Sequence, residues 1–134
     1  MFGKIAHIGI AVKDLNKSVE LFAAVVGSRP GHRERVEDQH VNTATFVLDG
    51  TSIELLEPTS PESPIAKFIE KRGEGMHHIS FAVDDIDAEL ERLKKAGFQL
   101  IDDHPRMGAD NCLVAFLHPT STNGVLIELS QKVR

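Results

Sequence analysis

Residues 4–12 alternate. Ile8, Ile10 and Val12 fall on one side, His7, Gly9 and Ala11 on the other. That period of two is the signature of a half-buried strand. The period then lengthens. Leu15, Val19 and Phe22 stand at i, i+4 and i+7, which predicts a helix to about Val26, with Asp14 as its N-cap and Gly27 at its stop. The polar run RPGHRERVEDQ follows, and strands are predicted at 41–48 and 52–57 around an Asp49-Gly50 turn. PTSPESP reads as a loop. Ser63-Pro64 opens a short helix, IAKFIEKR, with Pro in the first turn and Gly73 after it. The order then recurs: a strand at 77–83, a helix from Ile86 to about Ala96, and strands at 98–101, 112–117 and 124–130. The loop HPTSTNG separates the last two strands.

This recurrence is a repeat in the residues themselves. HIGIAVKDL at 7–15 matches HISFAVDDI at 78–86 at an offset of 71. Leu15, Val19 and Phe22 have their counterparts in Ile86, Leu90 and Leu93, and Gly27 has Gly97. GTSIELLE at 50–57 resembles NGVLIELS at 123–130, which sets Glu54 against Glu128 at an offset of 74. Two matches in the same order, at nearly equal offsets, indicate a duplicated module. The expected fold class is α+β, with two tandem βαβββ modules in a single domain over residues 1–134. Module one spans about 1–57, a linker with the short helix about 58–75, and module two about 76–134.

Composition narrows the function classes. With 15 Lys+Arg against 20 Asp+Glu, the net charge of −5 argues against a nucleic-acid partner. No apolar run approaches a membrane span, and the first residues lack the layout of a signal or transit segment. A single cysteine, Cys112, rules out an internal disulfide and makes a reducing cytoplasm the expected location. Cys112 reads as a small apolar filler.

The strand phase points to chemistry. His7, Gly9 and Ala11 share a face, as do His78, Ser80 and Ala82. Each face offers an imidazole followed by room for a ligand. Glu54 lies between Ile53 and Leu55, and Glu128 between Ile127 and Leu129. A carboxylate in an apolar strand is costly unless it is paired or bound to a metal. One such histidine alone reads as a satisfied core residue, but four repeat-matched residues form two His–Glu pairs. If the modules are related by an approximate twofold, His7, Glu54, His78 and Glu128 converge. Two imidazoles and two carboxylates suit a divalent transition metal and leave two octahedral positions open. His77 falls on the opposite face, and His32, His40, His104 and His118 read as surface or rim groups.

The stretches HIGIAVKDL, IELLEP, SPIAKFIEKRGEGMHHISFAVDDIDA and FLHP followed by GVLIEL cover both modules. They resemble the vicinal oxygen chelate superfamily, which includes glyoxalase I, and within it the methylmalonyl-CoA epimerase family. The resemblance implies paired βαβββ units whose sheets curl around a metal-containing cleft, commonly in a homodimer. It implies metal ligation by His7, Glu54, His78 and Glu128, with cobalt typical and manganese, nickel or zinc as alternatives. Some epimerases carry Gln where this chain has Glu54, so at that position the set is nearer to glyoxalase I. The family's loop of proline, an acid, Gln or His, then glycine is here Glu37-Asp38-Gln39-His40. Thr43 stands where some relatives have a carboxylate, and GADNC at 108–112 lacks the glycine and lysine of many relatives.

The reaction implied is epimerisation at C2 of methylmalonyl-CoA, an acyl-CoA thioester. A metal would stabilise the enolate, Glu128 would serve as one base, and Glu54 as its opposite number or simply a ligand. Glyoxalase I chemistry on a glutathione hemithioacetal and a non-catalytic small-molecule binding module are the alternatives.

Overall fold

The structure is a computed structural model, and residues 1–133 are described. Arg134, the last residue assigned to module two, lies outside the described residues. The chain forms two compact units, Ile8–His77 and Met1–His7 with His78–Arg134. Their boundaries fall inside two strands, between His7 and Ile8 and between His77 and His78.

The unit Ile8–His77 contains most of β1 (Ile5–Ala11), then α1 (Leu15–Val26), β2 (His32–Val36), β3 (Val41–Leu48), β4 (Thr51–Pro58) and α2 (Pro64–Arg72). Its strands run in the order β2-β3-β4-β1. Asp14 starts α1 by accepting from Lys17 N, and Gly27 ends it at φ 87, a left-handed conformation that needs no Cβ. The apolar stripe of α1 buries Leu15 and Val19, with Phe22 and Val26 beside them, against Ala44, Phe46 and Leu55. Ser63 caps α2 by accepting from Ile65 N.

β2 was not expected: its sequence, HRERV, falls in the run read as polar. It pairs antiparallel with β3, from His32 opposite Thr45 to Val36 opposite Val41. It ends the strand order, and alternating charges are what an edge strand carries against unwanted pairing. Hydrophobic periodicity cannot detect such a strand. Just beyond it, His40 sits at φ 53 after the turn Glu37–Gln39. This is the place where the family pattern has glycine, and the backbone still adopts the left-handed conformation that glycine favours.

The unit Met1–His7 with His78–Arg134 contains the start of β1, most of β5 (Gly75–Ala82), α3 (Ile86–Lys95), β6 (Arg106–Met107), β7 (Cys112–Leu117) and β8 (Ile127–Lys132). The strand order is β1-β5-β8-β7-β6. β5 runs parallel to β8 with Ser80 opposite Glu128. β7 runs antiparallel to β8 with Phe116 opposite Glu128. Residues 98–101 form only a single bridge, Leu100 to Leu117, where a strand was expected. Phe98 N is drawn back to Leu93 O at the end of α3, so the segment leaves the helix in a turn. β8 begins at Ile127, three residues later than expected, because Asn123 and Gly124 are both at positive φ and Gly124 N bonds back to Pro119 O.

The two units repeat one another in detail. The first core is Val12, Leu15, Val19, Ala44, Phe46 and Leu55. The second is Val83, Ile86, Leu90, Ala115, Leu117 and Leu129, with Leu93 in the place of Phe22. Every pair is separated by the sequence offsets of 71 or 74. Val12 N donates to Leu56 O, and its counterpart Val83 N donates to Ser130 O. Glu57 accepts from Leu15 N at 2.8 Å, and Gln131 accepts from Ile86 N at 2.8 Å. Each main helix therefore has two caps: the aspartate before it and a side chain from the module's last strand. Among the described residues no helix is long and apolar enough to cross a membrane.

Candidate metal centre

Strand alternation puts His7 on β1 and His78 and Ser80 on β5 on one face, and the register of β5 with β8 brings Glu128 level with Ser80. The Nε2 atoms of His7 and His78 are 2.9 Å apart. Their rings meet at 82° with centroids 5.0 Å apart. Glu128 Oε1 is 3.2 Å from His7 Nε2 and 3.9 Å from His78 Nε2. His78 and Glu128 are 5% and 4% exposed, and His7 is half-buried. The Phe116 ring stands edge-on to His78 at 5.6 Å, which fixes the imidazole's tilt.

Burial pushes the Glu128 carboxyl up. The His7 contact, the charges of His78 and His7, and the Ser80 hydroxyl outweigh it and hold the group below the usual carboxylate range. Glu128 is therefore an anion at neutral pH. Its Oε1 is buried, yet no donor meets it in hydrogen-bond alignment, although His7 Nε2 comes close. His7 Nε2, His78 Nε2 and Glu128 Oε1 thus lie within 3.9 Å of one another, the two imidazole nitrogens at hydrogen-bond distance. Ligands adjacent around an ion about 2.1 Å from each lie about 3 Å apart. Two of the three separations here are 2.9 and 3.2 Å. Two imidazoles and a carboxylate fit a divalent metal, and in the metal's absence an anionic oxygen without an aligned donor is hard to account for.

His7, His78 and Glu128 thus come together within one unit. Glu54 belongs to the other, on β4 opposite Thr45, and is 5% exposed. Thr43 is buried and its hydroxyl donates to Glu34 O. His77 packs its ring against Phe68 at 4.9 Å, in keeping with its place opposite the histidine face. His118 accepts from Thr120 N and so caps the turn Pro119–Ser121. Cys112 is half-buried with Sγ toward Asp110 O. Sequence reasoning missed Phe116, the ring that holds His78. The available signal was its place on the strand that pairs with GVLIEL, at the rung of Glu128. It also missed Glu57 and Gln131, which stand three residues after Glu54 and Glu128 and share their repeat.

Residues 6–116 match the family described as Glyoxalase/Bleomycin resistance protein/Dioxygenase superfamily. The chain is 40% identical to the ethylmalonyl-CoA/methylmalonyl-CoA epimerase of Cereibacter sphaeroides, over 98% of this chain and 99% of that one. It is 36% identical to the mitochondrial methylmalonyl-CoA epimerase of Homo sapiens, over 96% of this chain and 74% of that one. A solved structure of a singly substituted variant of Streptomyces coelicolor methylmalonyl-CoA epimerase in complex with 2-nitronate-propionyl-CoA superposes with a TM-score of 0.94, at 37% identity and 100% coverage of both chains. At such similarity the fold is shared throughout, and the α+β, paired βαβββ reading of the sequence holds. The chain belongs to the glyoxalase/bleomycin resistance protein/dioxygenase superfamily, in the family of its methylmalonyl-CoA epimerases.

Proposed function

We propose that this chain is a metal-dependent epimerase that interconverts the (R) and (S) forms of methylmalonyl-CoA. The convergence of His7, His78 and Glu128 on one buried point carries the reading, and full-length relatives named for this activity support it. We assign Glu54 as the fourth donor. It is the repeat counterpart of Glu128, buried in an otherwise apolar strand. A divalent ion held by this set, with cobalt favoured over manganese, nickel and zinc, would act as a Lewis acid that stabilises the enolate charge of the thioester. The modules are taken as about 1–57 and 76–134, joined by 58–75.

The residues divide the remaining work. Glu128, kept anionic, removes the C2 proton and leaves an enolate with the C2–H pair delocalised onto the thioester. Glu54, from the other module and protonated at the outset, gives its proton to the opposite face of C2 and so inverts it; Glu128 is left protonated and Glu54 ionised, and proton exchange with solvent resets the pair. Burial of the carboxylates keeps bulk water from competing for the enolate. Return of the proton from the same side regenerates the starting epimer, so the two carboxylates together make the reaction an epimerisation. We further infer a homodimer in the cytoplasm, the latter in keeping with a lone, unpaired cysteine.

Glu54 also favours a second reading, glyoxalase I, whose ligand set it matches. The test is a comparison of kcat/KM of the metal-loaded chain on methylmalonyl-CoA and on the methylglyoxal–glutathione hemithioacetal. Preference for the thioester by at least a hundredfold is expected. The reverse preference overturns the epimerase assignment, and inactivity on both leaves a binding module.

A further inference from the structure

Two buried hydroxyls lie beside the two carboxylates without an aligned hydrogen bond. Ser80 is 0% exposed and Thr45 is 3% exposed; Thr45 Oγ1 meets no hydrogen-bond partner among the described residues, and Ser80 Oγ, although it acts on Glu128, meets none in full hydrogen-bond geometry. Native structures rarely leave such groups unsatisfied, because a buried polar atom without a partner costs free energy comparable to a lost hydrogen bond. Each of the two lies directly beside one carboxylate of its own unit: Ser80 is opposite Glu128 in the β5–β8 ladder, and Thr45 is opposite Glu54 in the β3–β4 ladder.

The repeat makes this pairing informative. Position 80 corresponds to Gly9, and position 45 corresponds to Phe116. Glu128 has a hydroxyl on its β5 side and the Phe116 ring on its β7 side. Glu54 has a hydroxyl on its β3 side, while the counterpart of Ser80 in its own module is a glycine with no side chain. Each carboxylate therefore has one neighbouring hydroxyl, supplied by a different strand in each module. The flank without a hydroxyl is used otherwise in the second unit, where Phe116 braces His78.

We propose that the hydroxyls of Ser80 and Thr45 are positioning residues that hold Glu128 and Glu54 to one-oxygen metal ligation. With the metal bound, Ser80 would donate to the Glu128 oxygen turned away from the imidazoles, and Thr45 to the corresponding oxygen of Glu54. The oxygen left to the ion is then fixed in direction, as Oε1 of Glu128 is already fixed toward His7. A carboxylate free to rotate would chelate with both oxygens and lose the one that serves as a base. Second-layer donors of this kind are known to set metal affinity by one to two orders of magnitude. The inference rests on the metal reading above but not on the identity of the substrate.

The test is metal affinity, measured by competition against a chromophoric chelator with cobalt(II) and zinc(II), alongside thermal melting of the metal-free chain. Ser80→Ala and Thr45→Val remove the hydroxyls with little change of shape, and Thr45→Ser keeps one. We expect Ser80→Ala and Thr45→Val each to weaken metal binding by about tenfold. We expect the metal-free melting temperature to be unchanged or raised, and Thr45→Ser to bind like the original chain. In turnover, kcat falls while KM holds. Unchanged affinity in both variants overturns the proposal. So does an equal loss of stability with and without metal, which marks the hydroxyls as packing groups. Failure of the unaltered chain to bind either metal overturns it as well. Hydroxyl-dependent metal binding without epimerase activity keeps the inference and removes the substrate assignment.

Discussion

Replacing Glu128 with glutamine keeps the side chain's shape and removes its charge, and the two readings of its contacts predict opposite results. If His7, His78 and Glu128 form a structural ion pair in a core, removing one partner strands buried charge and costs about 3–5 kcal/mol. Unfolding entropy near 2.1 cal/mol/K per residue gives about 0.28 kcal/mol/K for a chain of 134 residues. The structural reading therefore predicts a fall in melting temperature of roughly 11–18 °C. If the cluster is a metal shell, the metal-free variant no longer buries an anion without its ion. Its melting temperature then stays within about 3 °C of the original or rises. Metal supplied at about 100 times its Kd stabilises the original chain by about 2.7 kcal/mol, or roughly 10 °C. With affinity reduced about a hundredfold, the same concentration shifts the glutamine variant by only about 1–2 °C. Differential scanning calorimetry with and without cobalt(II) reads both quantities, and turnover should fall with the metal shift. A drop above about 10 °C in the metal-free variant refutes the reasoning. An equal metal shift in both chains, or full activity in the variant, refutes it too.

Two further outcomes test the fold. Glu57→Ala and Gln131→Ala each remove a side chain that accepts from the first amide of a main helix. Each should cost about 1 kcal/mol, a drop of roughly 3–4 °C by calorimetry, and no change would mean that Asp14 and Asp85 suffice alone. His40→Gly relieves an exposed residue held at φ 53. It should raise stability by about 0.5–1 kcal/mol in urea denaturation, the left-handed penalty less the extra freedom of glycine when unfolded, and a loss would show that the imidazole is held by contacts worth more than the strain.

Much of this architecture can be read from the residue pattern because it is written twice. The period-3.6 stripes of Leu15, Val19 and Phe22 and of Ile86, Leu90 and Leu93 define both main helices, and the core positions recur at fixed spacing. His7, His78 and Glu128 were visible for the same reason: strand phase and repeat together outweigh the ordinary expectation for an isolated histidine. What the pattern hides follows from physics that acts across strands. β2 has no apolar face to announce it, since its partner β3 supplies the ladder and its charges protect an edge. The late start of β8 is set by two left-handed residues in the preceding turn, a local backbone choice that outweighs the apolar run from Val125. Phe116, Ser80 and Thr45 become informative only once register puts them beside a carboxylate.

The central claim is proton exchange at one carbon, and proton NMR of methylmalonyl-CoA in D2O reads it directly. With the cobalt-loaded chain, the account predicts loss of the C2 proton signal, collapse of the methyl doublet toward a singlet, and conversion of a pure epimer into a mixture. Chelator should stop all three, and metal should restore them. Retention of the C2 proton and of a single epimer with cobalt, manganese, nickel and zinc in turn would contradict the account.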